Sequence, residues 1–287
     1  MMSNQTTIGI DCRSDLYYIA QVQHGQSECK ITDLKTVTQS DLSDNVALEG
    51  ANIIMAVPDN KVVIKNLHIS GAARWDRDML AQFELSQTLL DDENEFCFAA
   101  LNTGNAKRYL GIMTRRRELE QIANSLFSSL GAFARSLKYE MRAVALGKGY
   151  INFCHSEQRE LVCLTDFYNN AASIAFIFEQ NIIGVAFLPT GRFDPETEEG
   201  LKKMAVELKT VISFKLASFF EEGIVPPLST LLVSGNSSDN QIINILKQHF
   251  QIAVTKPRTD NRFLAETLTV KDVVIEDYLV AMGLTVD

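Results

Sequence analysis

Two aspartates stand out by position. Asp11 closes the apolar run Thr7-Ile8-Gly9-Ile10, and Asp166 closes Leu161-Val162-Cys163-Leu164-Thr165, each ahead of a polar turn and a second strand-like run. A carboxylate at the end of a strand can hold a magnesium ion through water. It can equally serve as a turn former, because an Asp side chain bonds its own backbone two residues on. The residues alone leave both readings open. Arg13 could neutralise an anion in a cleft, but pairing with Asp15 or pointing to solvent is the favoured reading. Other chemistries lack their residues. There is no Ser–His–acid set and no paired-carboxylate spacing, so no catalytic residue is assigned. The five cysteines (Cys12, Cys29, Cys97, Cys154, Cys163) are odd in number and contain no C-x-x-C, which argues against a disulfide frame and a zinc site. His24, His68, His155 and His249 are scattered, and no metal site is assigned.

The elements around the aspartates repeat. Leu16 to Val22 follows Asp11 as a strand, and Ser173 to Phe178 follows Asp166, with Gln180-Asn181 marking a hairpin before Ile182 to Leu188 returns. Such β-branched and aromatic runs between turn residues are a hairpin signal. Two copies on one chain predict two related halves facing each other across a cleft. In the first half, Ile31 to Leu48 is polar and weakly patterned, and Ala51 to Val57 is a buried-type strand stopped by Pro58-Asp59. Lys61 to Ile69 reads as a strand. Ser70 is a helix cap for a stretch reaching Leu90, with Trp75, Met79, Phe83 and Ser86 on the face to be buried. The acidic run Asp91 to Glu95 reads as a solvated loop. Strands at Phe96 to Leu101 and Arg108 to Thr114 follow, then a helix from Arg116 to Leu130 ended by Gly131. The run Arg115-Arg116-Arg117 caps that helix or lies in solvent. Residues 58–131 thus form a small α+β unit inserted after the first hairpin, joined by two chain crossings and expected to move as a block.

Tyr139 to Tyr150 reads as a helix, and Glu196 to Glu222 as a long one with a core stripe that includes Leu201, Met204, Leu208 and Ile212. Ser229 to Ser234 is a strand, Asp239 to Phe250 a helix, Ile252 to Val254 a short strand and Asp277 to Thr285 a terminal helix. With 46% hydrophobic and 22% charged residues in 287, the chain can bury the cores of about two globular domains. The balance of 27 Lys+Arg against 36 Asp+Glu, formally −9, argues against nucleic acid as a partner. No apolar run approaches the ~20 residues that span a bilayer. Residues 1–10 lack the features of a secretory signal, so a cytoplasmic protein without direct membrane insertion is expected.

In order and spacing the chain resembles the actin-like fold, and most closely the type IV pilus assembly protein PilM family. The resemblance covers nearly the whole chain. It rests on Ile8-Gly9-Ile10-Asp11-Cys12-Arg13-Ser14, on Ala56-Val57-Pro58-Asp59 with the following strand and helix, and on Leu164-Thr165-Asp166 with the hairpin ending at Leu188-Pro189-Thr190-Gly191. Leu232-Val233-Ser234-Gly235-Asn236, with Val254 to Pro257 and Ala281-Met282-Gly283-Leu284, completes it. The resemblance implies an α/β fold of duplicated, actin-like (ribonuclease H-like) type. Residues 1–57 and 132–157 would form the first half and 158–287 the second. The unit at 58–131 stands where PilM and FtsA-like proteins carry their extra subdomain.

The same resemblance places a nucleotide site at Asp11, Ser14, Asp166, Asn169, Gly235 and Asn236. That site is eroded. Phosphate loops need glycines because a Cβ blocks backbone N–H groups from closing on an anion, yet Arg13 and Tyr168 occupy two such positions and the adenosine loop keeps only Gly235. Gly191 also runs almost directly into the 196–222 helix, which predicts a reduced cleft wall. The expected cofactor is therefore none, the alternative being ATP with magnesium. By resemblance the chain is a non-catalytic scaffold of a type IV pilus or related secretion or competence apparatus. It would sit beneath the inner membrane and bind the cytoplasmic tail of an inner-membrane partner, with oligomerisation open. An ATP-binding PilM-type ATPase and the cytoplasmic domain of a type II secretion L-like protein are the alternatives; the lack of a following membrane segment weighs against the latter.

Overall fold

The computed structural model describes residues 5–25, 29–42, 51–69, 77–89, 91–105, 107–130, 136–154, 160–221, 223, 226–235, 240–265, 268 and 274–286. Its first half is a sheet of β1 (Gln5–Arg13), β2 (Leu16–His24), β3 (Cys29–Thr38), β4 (Asn52–Val57) and β8 (Ser136–Met141), in the order β3-β2-β1-β4-β8. The second is a sheet of β9 (Leu161–Tyr168), β10 (Ala171–Phe178), β11 (Asn181–Pro189), β12 (Leu228–Gly235) and β13 (Ala253–Thr255), in the order β11-β10-β9-β12-β13. In each, the first three strands form an antiparallel meander and the last two run parallel to the first. The two halves therefore share one topology, as the repeated aspartate pattern predicts.

Two helices lie between the sheets. These are α3 (Arg142–Phe153) and the short terminal α6 (Leu279–Gly283). Ala145, Leu146, Tyr150 and Phe153 of α3 meet Ala20 and Ile54 from one sheet and Val162 and Leu164 from the other in a single buried cluster. Each such large side chain contributes about 1.5–3 kcal/mol by leaving water. The helices approach at backbone distance, because a Cβ on Gly149 would lie 2.0 Å from the Leu279 carbonyl oxygen and one on Gly283 would lie 1.8 Å from that of Ala145. Glycine is required at this crossing. On its outer face the second sheet is covered by α4 (Glu198–Glu221) and α5 (Asn240–His249), with Phe176 and Phe219 edge to face at 5.3 Å. Only turns separate β11 from α4.

The insertion carries β5 (Val62–His68), α1 (Arg77–Ser86), β6 (Phe96–Asn102), β7 (Arg108–Arg115) and α2 (Arg116–Leu130), with a sheet in the order β5-β7-β6. It is not held by its chain crossings alone. Leu110 of β7 packs with Met141 and Val144 from the first half and with Ile182 and Val185 from β11. Arg108, 2% exposed, lies over the Phe219 ring at 5.3 Å. Contact with both halves argues against the mobile block expected from sequence.

Three further expectations are corrected. Tyr139 lies on β8 and not in a helix, because residues 136–141 pair in parallel with β4 and the helix starts only at Arg142. Residues 29–38, read as weakly patterned, form β3. Its buried Ile31, Leu34 and Val37 fall three apart because the pairing shifts register near Val22 and because both faces are covered. On α1 the buried residues are Ala81 and Leu85, while Met79 and Phe83 stand 69% and 56% exposed, and Trp75 and the Ser70 cap lie outside the described residues. Residues 81 and 85 sit opposite 79 and 83 on a helix, so the core takes the apolar side opposite to the one expected. The acidic run is solvent-exposed, as expected, and is tethered to the strand and helix that follow. Arg115 bonds Asp91 at 2.5 Å and Glu95 at 3.3 Å, and Arg116 Nε donates to the Asn94 carbonyl.

Candidate functional site

The site lies between the ends of β1 and β9. Asp11 and Asp166 sit near the C-terminal ends of the first strand of each half, and both are fully buried. They do not face an open cleft. Arg142 Nε donates to Asp11 Oδ1 at 3.0 Å, and its Nη2 donates to Asp11 Oδ2 at 3.0 Å and to Asp166 Oδ2 at 2.6 Å. Arg13 Nε donates to Asp11 Oδ2 at 2.7 Å, its Nη2 reaches the Asp277 carbonyl at 2.5 Å, and Asp166 lies 3.8 Å away. Each guanidinium stacks on a tyrosine: Arg13 lies 4.1 Å from the Tyr18 centroid and Arg142 lies 3.5 Å from that of Tyr168. Arg13 is 1% exposed, so the pairing with Asp15 or solvent expected from sequence is overturned. The buried carboxylate two residues earlier is the stronger partner, because Coulomb attraction grows as water is excluded.

The network extends through hydroxyls. Ser234 Oγ donates to Asp166 Oδ1 at 2.8 Å, and Arg142 Nη1 donates to Ser173 Oγ at 2.9 Å. Ser173 Oγ in turn donates to Asp59 Oδ2, while the Ala143 backbone N–H donates to Asp59 Oδ1 at 2.9 Å. Two carboxylates thus oppose two guanidinia, and Asp59 is a third, surplus acid. Burial, with Asp11 adding repulsion, raises the Asp59 pKa to about 6 against the pull of Ser173, Arg142 and the Ala143 amide. Burial would also raise Asp11, but Arg142 and Arg13 outweigh it and hold that carboxyl below its ordinary value. For Arg142 burial favours the neutral form, and Asp11 and Asp166 overcome it and raise the pKa.

Among the other candidate residues, Ser14 and Asn169 occupy the two hairpin turns. Both are left-handed, at φ 53° and 46°, and Ser14 Oγ donates to Asn169 Oδ1 at 2.8 Å across the halves. Gly235 ends β12 at φ +90°, where a Cβ would lie 2.0 Å from the Phe167 carbonyl oxygen, so glycine is needed for local packing whatever else it does. Asn236 lies outside the described residues. The structure therefore brings together Asp11 and Asp166, and separately Ser14 and Asn169. Sequence reasoning missed Arg142, Asp59, Ser173 and Ser234. Arg142 had a signal: a cation in the first turn of a largely apolar helix opposes the helix dipole and calls for a buried anion.

This donor set does not fit a magnesium–phosphate group. The carboxylate oxygens that a hydrated cation needs already accept guanidinium hydrogens, and Arg142 bridges the two aspartates with Arg13 beside it. Among the described residues no group of three or more His, Cys, Asp or Glu side chains is placed to hold a metal.

A second feature lies on the other side of the same backbone. A cavity of about 220 Å³ opens between the insertion and the first half, lined by Val57, Tyr139 and Met141 on one side and by Val62, Phe98 and Ala99 among others on the other. It is smaller than the roughly 300–1,000 Å³ of small-molecule pockets. Strands β6 and β8, which contribute to it, are each terminal in their sheets.

No family model matches the chain, and no curated protein matches it by sequence. Its structure is similar to a chain of the PilM–PilN type IV pilus biogenesis complex, with a TM-score of 0.71 at 12% identity over 97% of both chains. It is also similar to the cytoplasmic domain of EpsL, an inner membrane component of the type II secretion system of Vibrio cholerae. That match has a TM-score of 0.50 at 11% identity, over 99% of this chain and 96% of that one. A Bacteroides thetaiotaomicron protein with an actin-like ATPase fold and unknown function gives 0.52 at 10% identity, over 99% and 97%. The fold is α/β and actin-like.

Proposed function

We propose that this actin-like chain is a non-catalytic adaptor of a type IV pilus or related secretion or competence apparatus, and that it holds the cytoplasmic tail of an inner-membrane partner. The supporting observation is the apolar cavity flanked by the terminal strands β6 and β8. A terminal strand offers unpaired N–H and C=O groups, so an extended segment can add hydrogen bonds along it while alternate side chains enter the cavity. The cavity's size suits a few apolar side chains better than a cofactor. The likeness to a chain of a PilM–PilN complex makes such a partner the natural reading. On this reading the protein lies in the cytoplasm at the inner membrane. No described helix is long and apolar enough to cross a bilayer, so attachment would come through the partner. Its net charge of −9 would speed encounter with a basic juxtamembrane tail more than it would tighten the complex. The likeness to the EpsL cytoplasmic domain favours a type II secretion setting as the second reading.

Ala99 is exposed on β6 and lines the cavity, so A99R fills the cavity without disturbing the fold. In the native host, wild-type protein should sediment with inner membranes and A99R should remain in the soluble fraction. Equal sedimentation of both would sink the cavity as the docking place, and wild-type protein that never sediments would sink the adaptor reading.

A further inference from the structure

The cavity and the arginine network are built on the same two stretches of backbone. Val57 and Val62 line the cavity on either side of Asp59, and Met141 lines it immediately before Arg142. Asp59 is bonded to Ser173 of the second half and to the Ala143 amide, and Arg142 is bonded to Asp166 and Ser173 of the second half as well as to Asp11. The cavity wall formed by the exits of β4 and β8 is therefore anchored from behind, across the interface between the halves.

We infer that Arg13 and Arg142 are an internal substitute for the metal–nucleotide that an actin-like cleft would otherwise bind, and that they hold the cavity between β6 and β8 permanently in one form. The inference rests on the docking reading for its purpose, but the geometry it concerns belongs to the chain alone. A diffusible ligand biases a conformation only while bound and only by its differential affinity for the two states. A side chain in the same place never dissociates. The charges are matched, with two guanidinia against Asp11 and Asp166 and no exposure to water that would screen them. The planar fork of Arg142 bonds both aspartates and Ser173 at once, which fixes the relative placement of β1, β9 and β10 in a way a point charge would not.

Hydrogen exchange on the full chain, read by mass spectrometry, tests this. In wild-type protein, millimolar Mg-ATP should leave exchange unchanged throughout. The variant R142Q/D166N removes one charge of each sign and keeps the buried balance. It should speed exchange of residues 59–64 and 136–141 by about tenfold, leaving β10 and β11 as protected as before. If that variant does not fold, R142K keeps the charge without the fork and should show the same pattern more weakly. Slower exchange in wild-type β6 or β8 on adding Mg-ATP would overturn the inference. So would unchanged protection of residues 136–141 in every folded variant. Failure of the docking reading would show instead in the A99R sedimentation, which these exchange rates do not affect.

Discussion

The two halves share strand order, strand direction and a buried aspartate, yet they bring different partners to their interface. Two residues past its aspartate the first half has Arg13, and the second has Tyr168. Opposite the aspartate in the adjoining strand the first half has Tyr18, and the second has Ser173. Past the fifth strand comes Arg142 in the first half and Lys256 in the second. The first half thus supplies both guanidinia, while the second supplies Asp166, Ser173 and Ser234 as acceptors and bridging hydroxyls. A duplicated fold usually makes its cleft from two similar lips around a ligand. Here the guanidinia of the first half bond the aspartates of both halves, which ties the two lips to each other.

The comparison breaks most visibly at the two cations past the fifth strands. R142M strips a buried, fully bonded charge and leaves Asp11, Asp59 and Asp166 sharing only Arg13, which should cost about 3–5 kcal/mol in urea unfolding. Lys256 is partly exposed and acts on Asp277 only through space, so K256M should cost no more than about 1 kcal/mol. Equal losses would mean that the halves are energetically alike and that Arg142 is not special.

The surplus acid sharpens the comparison through pH. Asp59, at the exit of β4, is raised from 3.8 to about 6, which at about 1.4 kcal/mol per pH unit corresponds to about 3 kcal/mol. The folded state holds this proton more tightly than the unfolded chain does, so the contribution is full below pH 3.8 and is lost as pH rises towards 6. Asp11 has the opposite sign: its lowered pKa stabilises the fold above the ordinary carboxylate value and is lost on acidification. D59N mimics the protonated acid. It should unfold at higher urea than wild type at pH 7.5 and at nearly equal urea at pH 4. A gap that stays constant with pH would show that Asp59 does not titrate in this window.

Much of this was legible in the sequence where one local rule sufficed. The duplicated hairpins and the helix from Arg116 to Leu130 follow from apolar runs and turn residues. The rest depended on partners far along the chain. Arg142 meets Asp11 across 131 positions, and Ser173 meets Asp59 across 114. Nothing in Tyr139-Glu140-Met141 distinguishes a helix start from an edge strand until β4 lies beside it. The helix at Arg77–Ser86 is apolar on two sides, so periodicity could not say which side is covered. The second half is more legible because its strands are buried on both faces, which leaves long apolar runs that are hard to mistake.

The smallest effect concerns a place where equivalent residues of the two halves touch. Ser14 and Asn169 each stand three residues past their aspartate, each in the left-handed region, and they bond each other at 2.8 Å in an exposed position. Water competes for an exposed hydroxyl–amide bond, so S14A should cost about 0.5 kcal/mol. N169A should cost somewhat more, because alanine tolerates the left-handed turn less well than asparagine does. A double-mutant cycle subtracts that backbone term and leaves the bond itself, with an expected coupling near 0.5 kcal/mol. If the arginines and aspartates carry the interface, this outer pair only sets the final closure of the tips. A coupling above about 1.5 kcal/mol would instead make the tips a principal link and demote the buried network beneath them.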